Sequence, residues 1–228
     1  MAQESSPRCV IIGPLYRGEI PLDVNQAAGE MIICADGGYK AARAFGIVPD
    51  LIVGDMDSMD DQSQWPCPVL RLPREKDDTD MVVCLKTARE RGYRRFDILG
   101  ATSGRADHFL GNIQCLADCA ARGESAWLLD ADNEITILSP GTYRFSKREG
   151  YYFSLLSYTP KVTDLTVTGT HWKLDHACLQ SCHPLGVSNR IEEEDANVSF
   201  LTGQLIVIWS RDAAAKDDAD GGASCSMI

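Results

Sequence analysis

The first part of the chain alternates short apolar runs with stretches of helical spacing. Six β-prone apolar runs lie at Cys9–Ile12, Met31–Ala35, Leu51–Val53, Val69–Leu72, Phe96–Leu99 and Ala126–Leu129. Apolar residues at helical spacing predict one helix that begins after Thr79 and ends at Gly92, and a second from about Ala106 to Arg122. Strand–helix alternation of this kind is typical of a parallel sheet covered by helices.

The pattern changes near Asn133. From there to Ser210 the apolar runs are short, rich in β-branched residues and separated by turn residues. These runs are Ile135–Leu138, Thr142–Phe145, Tyr151–Ser157, Asp164–Val167, Val198–Leu201 and Leu205–Trp209. No helical period interrupts them, so this half is predicted to form an antiparallel β-sandwich.

The two patterns predict an α/β fold class with two domains. Residues 1–132 are predicted to form a Rossmann-like parallel sheet with helices, and residues 133–211 a C-terminal antiparallel β-sandwich. Residues 212–228 are mostly Ala, Asp, Gly and Ser. Because such a segment has little to bury, we expect a disordered tail there.

Composition and charge exclude several classes of protein. Hydrophobic residues make up 44% and charged residues 24%, which is typical of a globular protein. The formal net charge of −11 offers no basic surface to nucleic acid. The apolar run from Cys9 to Leu15 is too short for a signal-peptide core or a membrane span, and no later run is longer. The nine cysteines lack the regular spacing of a disulfide framework, which indicates that they are reduced. We therefore expect a cytoplasmic protein with no nucleic-acid or membrane partner.

Acidic or glycine-rich segments follow four of the predicted strands. They are Asp36-Gly37-Gly38, Asp55-Met56-Asp57-Ser58, Lys76-Asp77-Asp78-Thr79-Asp80 and the stretch from Gly100 to His108. The carboxyl ends of the strands of an open parallel sheet lie on one edge, and ligands bind in the crevice there. The sequence therefore predicts that these segments converge on one site.

The acidic residues of these segments suit a magnesium ion. Mg²⁺ takes hard oxygen ligands and uses few carboxylates, which leaves room for water and phosphate oxygens. Asp55 and Asp57 alternate with Met56, so on an extended segment their side chains share a face. Asp80, in the first turn of the next helix, could supply a third oxygen. These residues are candidates for holding a metal-bound polyphosphate.

Glycines and cations near the same edge suit the phosphates. Gly37 and Gly38 would let backbone N–H groups approach a phosphate without an intervening Cβ. Lys76 and Arg105 could neutralise charge on a transferring group.

Three polar residues open the second predicted helix. His108 and Asn112 are four residues apart and share a face, and Asp107 directly precedes them. Asp107 and His108 are candidate general bases. Phosphoryl-type transfers depend mainly on positioning and electrostatics, however, and can proceed without a strong base.

Several of these features also have a purely structural interpretation. An Asp–Xaa–Asp after a strand is a common turn pattern, and Thr79 and Asp80 are ordinary helix-start residues. Gly37-Gly38 could form a simple turn. A further cluster consists of His176, Cys178, Cys182 and His183. Its spacings differ from those of the usual zinc-binding pairs, so we interpret its members as turn residues.

Six segments of the chain form an ordered set of motifs: Ala35 to Gly38, Pro49 to Ser58, Lys76 to Asp80, Gly104 to His108 with Asn112, Gly169 to Leu174 and Gly186 to Asn189. Through these segments the sequence resembles the thiamine pyrophosphokinases from about Cys9 to Trp209. Several ordered motifs at matching spacing make the resemblance specific. It implies an N-terminal α/β domain, a C-terminal β-sandwich and a homodimer with sites at the subunit interface.

The resemblance also implies roles for individual residues. The metal ligands and catalytic carboxylates would be Asp55, Asp57 and Asp80, and the phosphate-side motif would contribute Arg105 and Asp107. The nucleotide-side residues would be Asp36, Gly37, Gly38, Lys76, Asp77, Thr79, His108 and Asn112. The thiamine pocket would comprise Trp172, Ser188 and Asn189, with the tryptophan able to come from the partner subunit. Ser103 departs from the pattern, because the bacterial family usually has a glycine there.

The implied reaction uses Mg²⁺ and ATP to move a diphosphate group onto thiamine, with release of AMP. An aromatic platform in an acidic site suits the flat, positively charged thiamine, although Trp172 could equally belong to the sandwich core. One rival function is an aspartate-nucleophile phosphatase, whose signature Asp55-Met56-Asp57 imitates. Another is a non-catalytic thiamine or nucleotide sensor, which would have no need of a full metal site.

Overall fold

The computed structural model describes residues 7–14, 29–56, 65–73, 75 and 77–212. The chain divides into two compact units between Ala131 and Asp132. In the N-terminal unit the strands are β1 (Arg8–Ile12), β2 (Met31–Ala35), β3 (Leu51–Gly54), β4 (Val69–Arg71), β5 (Arg95–Leu99) and β6 (Ser125–Leu129). They run parallel in the order β4-β3-β2-β1-β5-β6. The predicted parallel sheet is confirmed.

Three described helices belong to this unit: α1 (Gly38–Ala44), α2 (Asp80–Glu90) and α3 (Ala106–Ala121). Thr79 caps α2, because its Oγ1 accepts a hydrogen bond from the Val82 N–H at 3.3 Å. The predictions of α2 and α3 are confirmed to within two residues at each end. The pattern missed α1, whose seven residues are too few to establish a helical period.

Burial explains why the inner strands are continuous apolar runs. The residues from Cys9 to Ile12 are fully buried, and every residue of β2 is buried as well. A parallel sheet covered on both faces requires apolar side chains on both. On the helical side, α2 buries Met81, Cys84, Leu85 and Ala88.

The C-terminal unit is built from antiparallel strands. They are β7 (Asn133–Leu138), β8 (Gly141–Ser146), β9 (Tyr151–Ser157), β10 (Lys161–Thr168), β11 (Leu174–Gln180), β12 (Asp195–Phe200) and β13 (Leu205–Arg211). β13 pairs with both β7 and β9, and a second sheet has the order β11-β10-β12-β8. Phe153 of β9 contacts Phe145 of β8 at 5.1 Å between ring centroids, so the two sheets pack face to face. The predicted β-sandwich is confirmed.

Two expectations for this unit are wrong. His176 and Cys178 lie in β11 and are not turn residues. The sequence did not reveal β11 because most of its side chains are exposed, which leaves no clear apolar alternation. Asp212, the first residue of the predicted tail, donates its N–H to the Gly150 carbonyl at 2.7 Å and so belongs to the folded unit. The rest of the predicted tail, residues 213–228, lies outside the described residues.

None of the described helices has the length and hydrophobicity needed to cross a membrane, and the longest, α3, has 16 residues.

Candidate active site

A cleft of about 1360 Å³ lies in the N-terminal unit, where several strands end. Gly13, Asp36, Asp55 and Gly100 line it, and these residues follow β1, β2, β3 and β5 respectively. The starts of α2 and α3 complete the lining with Thr79, Asp80, Arg105, Asp107, His108 and Asn112. The cleft therefore brings together most of the described residues that the sequence marked as metal- or phosphate-binding.

Other predicted residues are placed differently. Gly37 and Gly38 are buried, and Asp77 is exposed without lining the cleft. Asp57 and Lys76 lie outside the described residues, so their predicted roles stay predictions. Trp172, Ser188 and Asn189 belong to the C-terminal unit.

The segment that follows β3 does not have the extended backbone that the sequence predicts. Met56 has a φ of 65° and is 2% exposed. A residue in the left-handed region turns the chain, so the two-residue side-chain period of a strand does not continue through Met56. The backbone is therefore not extended at Met56. Asp55 lines the cleft, whereas Asp57 lies outside the described residues, so that its placement beside Asp55 stays a prediction.

The carboxylates of the cleft have the right chemistry for Mg²⁺. Asp36, Asp55 and Asp80 present the hard oxygen donors that this ion takes in proteins. Within the described ranges, no group of three or more His, Cys, Asp or Glu side chains is close enough to hold a metal by itself. The type of donor thus fits Mg²⁺. Asp57, which is also a predicted metal ligand, lies outside the described residues.

Gly38 has a packing role in the turn that follows β2. A Cβ on Gly38 would lie 1.9 Å from the Ile12 carbonyl oxygen, a distance that no side chain can tolerate. Gly37 is the N-cap of α1 and is also buried. The glycine pair therefore lets α1 begin directly against the end of β1. The two glycines start a helix and do not form the simple turn that was the alternative interpretation.

Arg105 and Asp107 are bound to each other at the start of α3. The Arg105 Nη2 lies 2.6 Å from one carboxylate oxygen of Asp107, and Nε lies 3.1 Å from the other. This hydrogen bonding from Arg105 lowers the pKa of Asp107 to about 2. A carboxylate with so low a pKa is a weak proton acceptor near neutrality, which argues against Asp107 as a general base.

Asn112 connects α3 to the loop after β5. Its Nδ2 donates to the Ala101 carbonyl at 2.8 Å, so at least part of its amide serves the fold. In the same loop Gly104 has a φ of 87°, whereas Ser103 has no positive φ. The serine that replaces a family glycine is thus compatible with its backbone conformation, because the left-handed residues of the loop are Gly100 and Gly104.

Sequence reasoning missed the far end of the cleft, which continues between α2 and α3. Arg89 lines it and binds Glu124 through Nη2 at 2.8 Å and Asp118 through the same atom at 2.9 Å. The Glu124 side chain is only 4% exposed. These partners are 29 and 35 positions from Arg89, so no local pattern could have identified them.

In the C-terminal unit, Trp172 is a surface residue. It is 58% exposed, whereas Trp209 is 2% exposed and packs against Phe153 at 4.7 Å between centroids. The alternative that Trp172 belongs to the sandwich core is therefore wrong. Ser188 is exposed with a φ of 60°, and its N–H donates to Ser154 Oγ at 3.0 Å.

Asn189 differs from its neighbours because it is buried. It is 6% exposed, and its side-chain amide hydrogen-bonds to the backbone of Trp172. Of the three residues predicted to form a thiamine pocket, Trp172 and Ser188 are thus accessible and Asn189 is enclosed.

The fold and cleft define a two-domain protein with a ligand cleft at the carboxyl edge of a parallel α/β sheet, followed by a β-sandwich. Comparison with protein families matches residues 25–128 to the thiamin pyrophosphokinase catalytic domain and residues 142–207 to the thiamin pyrophosphokinase vitamin B1 binding domain. The chain belongs to the thiamin pyrophosphokinase family.

Individual relatives agree with this assignment. The chain is 35% identical over 186 residues to a thiamine pyrophosphokinase of Bacillus subtilis (strain 168), with 79% of this chain and 87% of the relative covered. A crystal structure of thiamine pyrophosphokinase from Bacillus subtilis superposes with a TM-score of 0.78 at 30% identity, covering 90% of this chain and 99% of that one. A thiamin pyrophosphokinase family protein from Enterococcus faecalis gives 0.78 at 28% identity, covering 91% and 100%.

Proposed function

We propose that the protein transfers the diphosphate group of ATP to thiamine, giving thiamine diphosphate and AMP. The observation that carries this proposal is the convergence of Asp36, Asp55, Asp80 and Arg105 on one cleft. Acidic and basic groups together suit a metal-bound polyphosphate. The similarity to thiamine pyrophosphokinases over both units supports thiamine as the acceptor.

The reaction is an in-line substitution at phosphorus. The primary hydroxyl oxygen of thiamine bonds to the β-phosphorus, the bond from that phosphorus to the α,β-bridging oxygen breaks, and AMP leaves with that oxygen. The hydroxyl proton is released in the same process. Arg105 and Lys76 stabilise charge on the transferring oxygens. Since positioning and electrostatics dominate such transfers, the low pKa of Asp107 is no obstacle.

Asp55, Asp57 and Asp80 would hold Mg²⁺ in this proposal. When bound, the ion would neutralise part of the phosphate charge. Asp107 orients Arg105 through their ion pair. On the nucleotide side, Asp36, Thr79 and His108 line the cleft and contact ATP, while Gly37, Gly38 and Asn112 shape the surrounding backbone.

Thiamine binding is assigned to the C-terminal unit. The exposed ring of Trp172 offers a stacking face for the pyrimidine and a favourable surface for the cationic thiazolium. Ser188 lies in the neighbouring loop and offers a hydroxyl. We further propose a homodimer that acts in the cytoplasm.

The test is the identity of the nucleotide product. Purified protein, ATP, Mg²⁺ and thiamine are incubated, and the mixture is followed by phosphorus NMR. Equal amounts of AMP and thiamine diphosphate are expected. ADP in proportion to phosphorylated thiamine would indicate a kinase, and free phosphate without thiamine would favour the phosphatase rival. Binding of thiamine without turnover would favour the sensor.

A matched pair of variants locates the reaction in the cleft. Asp55→Asn, which removes a charge that lines the cleft, should abolish AMP formation without lowering the melting temperature. Asp175→Asn removes an exposed carboxylate in the C-terminal unit and should leave turnover unchanged. Near-normal turnover of Asp55→Asn in saturating Mg²⁺ would exclude Asp55 from the metal site.

A further inference from the structure

Trp172 combines an exposed ring with a backbone that buried side chains enclose. Its carbonyl oxygen accepts hydrogen bonds from Thr170 Oγ1 and from Asn189 Nδ2, each at 2.9 Å. Its N–H donates to Asn189 Oδ1 at 3.0 Å. Thr170 is 0% exposed and Asn189 is 6% exposed. Both polar groups of the Trp172 backbone are thus bound by side chains from the interior.

The bonding capacity of Asn189 is almost fully used in the fold. Its Oδ1 accepts from the N–H of Trp172 and from the N–H of Arg190 at 2.9 Å, and an amide oxygen has two lone pairs. Its Nδ2 already donates to Trp172. A buried amide with its oxygen saturated is poorly placed to contact a ligand, so the assignment of Asn189 to direct thiamine binding is replaced.

Trp172 needs such support because it lies outside the β-ladders. It precedes β11, and its polar backbone groups have no strand partner. The two residues that precede it are anchored as well. Thr170 forms a β-bridge with Ile191, and the His171 N–H donates to the Arg190 carbonyl at 2.9 Å. The segment that carries Trp172 is therefore held at three consecutive residues.

The indole ring is also supported from the side. The His171 ring meets it edge-on, with centroids 4.6 Å apart and an interplanar angle of 89°. His171 in turn pairs with Glu192 through Nδ1 at 2.5 Å. An exposed aromatic ring with a fixed backbone loses little conformational freedom when a flat ligand stacks on it.

We infer that Thr170 and Asn189, here named the Trp172 clamp, are positioning residues that hold this indole ready to stack on a flat cationic ligand. The identity of that ligand as thiamine rests on the proposed function. The clamp lies in the C-terminal unit, where it binds the backbone of Trp172 and, through Asn189 Oδ1, the N–H of Arg190. Its loss therefore weakens thiamine binding while leaving ATP binding and the chemical step intact.

The first arm of the test uses kinetics. Thr170→Val removes the hydroxyl at nearly constant volume, and Asn189→Leu removes the amide. Each should raise the KM for thiamine about five- to tenfold, with the KM for ATP and kcat within about twofold of wild type. Thr170→Ser keeps the hydroxyl and should restore the thiamine KM. Thr168→Val, an exposed position on β10, is the matched control and should change neither KM.

The second arm observes the ring itself and needs no activity. Protein labelled with 5-fluorotryptophan gives a fluorine NMR signal for each tryptophan, and Trp172→Phe identifies the one from Trp172. In Thr170→Val that signal should shift and sharpen as the ring gains freedom, and Thr170→Ser should return it. The Trp209 signal should stay in place in all folded variants.

An unchanged Trp172 signal in Thr170→Val would overturn the inference, as would a parallel rise of both KM values. If Asn189→Leu does not fold, the Thr170 series decides the question by itself. If wild-type protein forms no thiamine diphosphate, the proposed function fails, and the fluorine signal still decides whether the clamp holds Trp172.

Discussion

Arg105 and Asp107 form a two-point ion pair at the start of α3, with N–O distances of 2.6 and 3.1 Å. Both side chains are exposed, at 74% and 63%, so a ligand in the cleft can reach them. A phosphate that approaches Arg105 must share it with Asp107. The pair therefore fixes the direction of the guanidinium and moderates its charge, two effects that a sequence motif alone does not distinguish.

The first prediction concerns the titration of Asp107. Its carboxyl should titrate with a pKa of about 2, because Arg105 favours the charged form. A folded pKa below the unfolded value means that the pair stabilises the native state above pH ~4. That contribution is lost as the pH falls through the folded pKa. Carbon NMR of labelled aspartate side chains, followed from pH 7 downward, measures it.

Arg105→Gln should return the pKa of Asp107 toward its ordinary value. The control is Lys86→Gln, which removes the cation of an exposed pair with Asp78 and should leave Asp107 unchanged. A wild-type Asp107 that titrates near pH 4 would mean that the ion pair does not persist in solution.

The second prediction compares two helical glycines. Gly38→Ala places a Cβ 1.9 Å from the backbone oxygen of Ile12. It should lower the free energy of unfolding by about 1–3 kcal/mol or more. Gly111→Ala in α3 meets nothing within 4 Å and should raise it by about 0.5–1 kcal/mol. Urea unfolding of both variants without ligand measures the difference. Equal stability of the two would show that α1 can move away from β1 without cost.

The third prediction concerns the buried carboxylate of Glu124. Arg89→Ala leaves this 4%-exposed carboxylate without its main partner and should cost about 3–5 kcal/mol of unfolding free energy. Arg122→Ala breaks a solvent-exposed pair with Asp118 and should cost no more than about 1 kcal/mol. The double variant Arg89→Met with Glu124→Leu should recover much of the loss, because it removes both charges. A small loss in Arg89→Ala alone would mean that water or Arg94 compensates Glu124.

The parts of the fold that the sequence predicts well are those that burial alone determines. β2 and β9 have the bounds that their apolar runs indicate, since every residue of β2 and four of the seven residues of β9 are buried. β11 was missed because its polar side chains face solvent. α1 was missed because its seven residues are too few to establish a helical period, and the close approach of Gly38 to Ile12 leaves no periodic signal in the sequence.

The candidate site likewise has features that the sequence predicts and features that it does not. The convergence of Asp36, Asp55 and Arg105 could be predicted, because parallel strands place the residues that follow them on one edge. The hydrogen bonds of Asn189 could not be predicted, because its partner Trp172 is 17 residues away in the sequence. The sequence also does not show whether an amide is buried and bonded within the fold, as that of Asn189 is, or faces a ligand. The turn at Met56 likewise depends on tertiary packing that overrides local alternation.

The last prediction tests the proposed homodimer and the subunit that supplies Trp172. Trp172→Ala should raise the thiamine KM strongly with little loss of stability, because the residue is 58% exposed. Asp55→Ala should be inactive for want of a cleft carboxylate. If each site takes its cleft from one subunit and its tryptophan from the other, a heterodimer of the two variants has one intact site and one doubly impaired site.

Mixing decides between the arrangements because the defects combine differently. After the two variants are unfolded together and refolded in equal amounts, half of the dimers are heterodimers, and activity at low thiamine should recover to about a quarter of wild type. A site built within one chain predicts no recovery, since every site then carries one defect. The control is a mixture of Asp55→Ala with Asp80→Ala, both in the cleft of the same unit, which should stay inactive in either arrangement. A monomer in sedimentation experiments, or no recovery in the mixture with Trp172→Ala, would exclude a shared site and return Trp172 to its own chain. Recovery in the control would instead mean that Asp55 and Asp80 of one site come from different subunits.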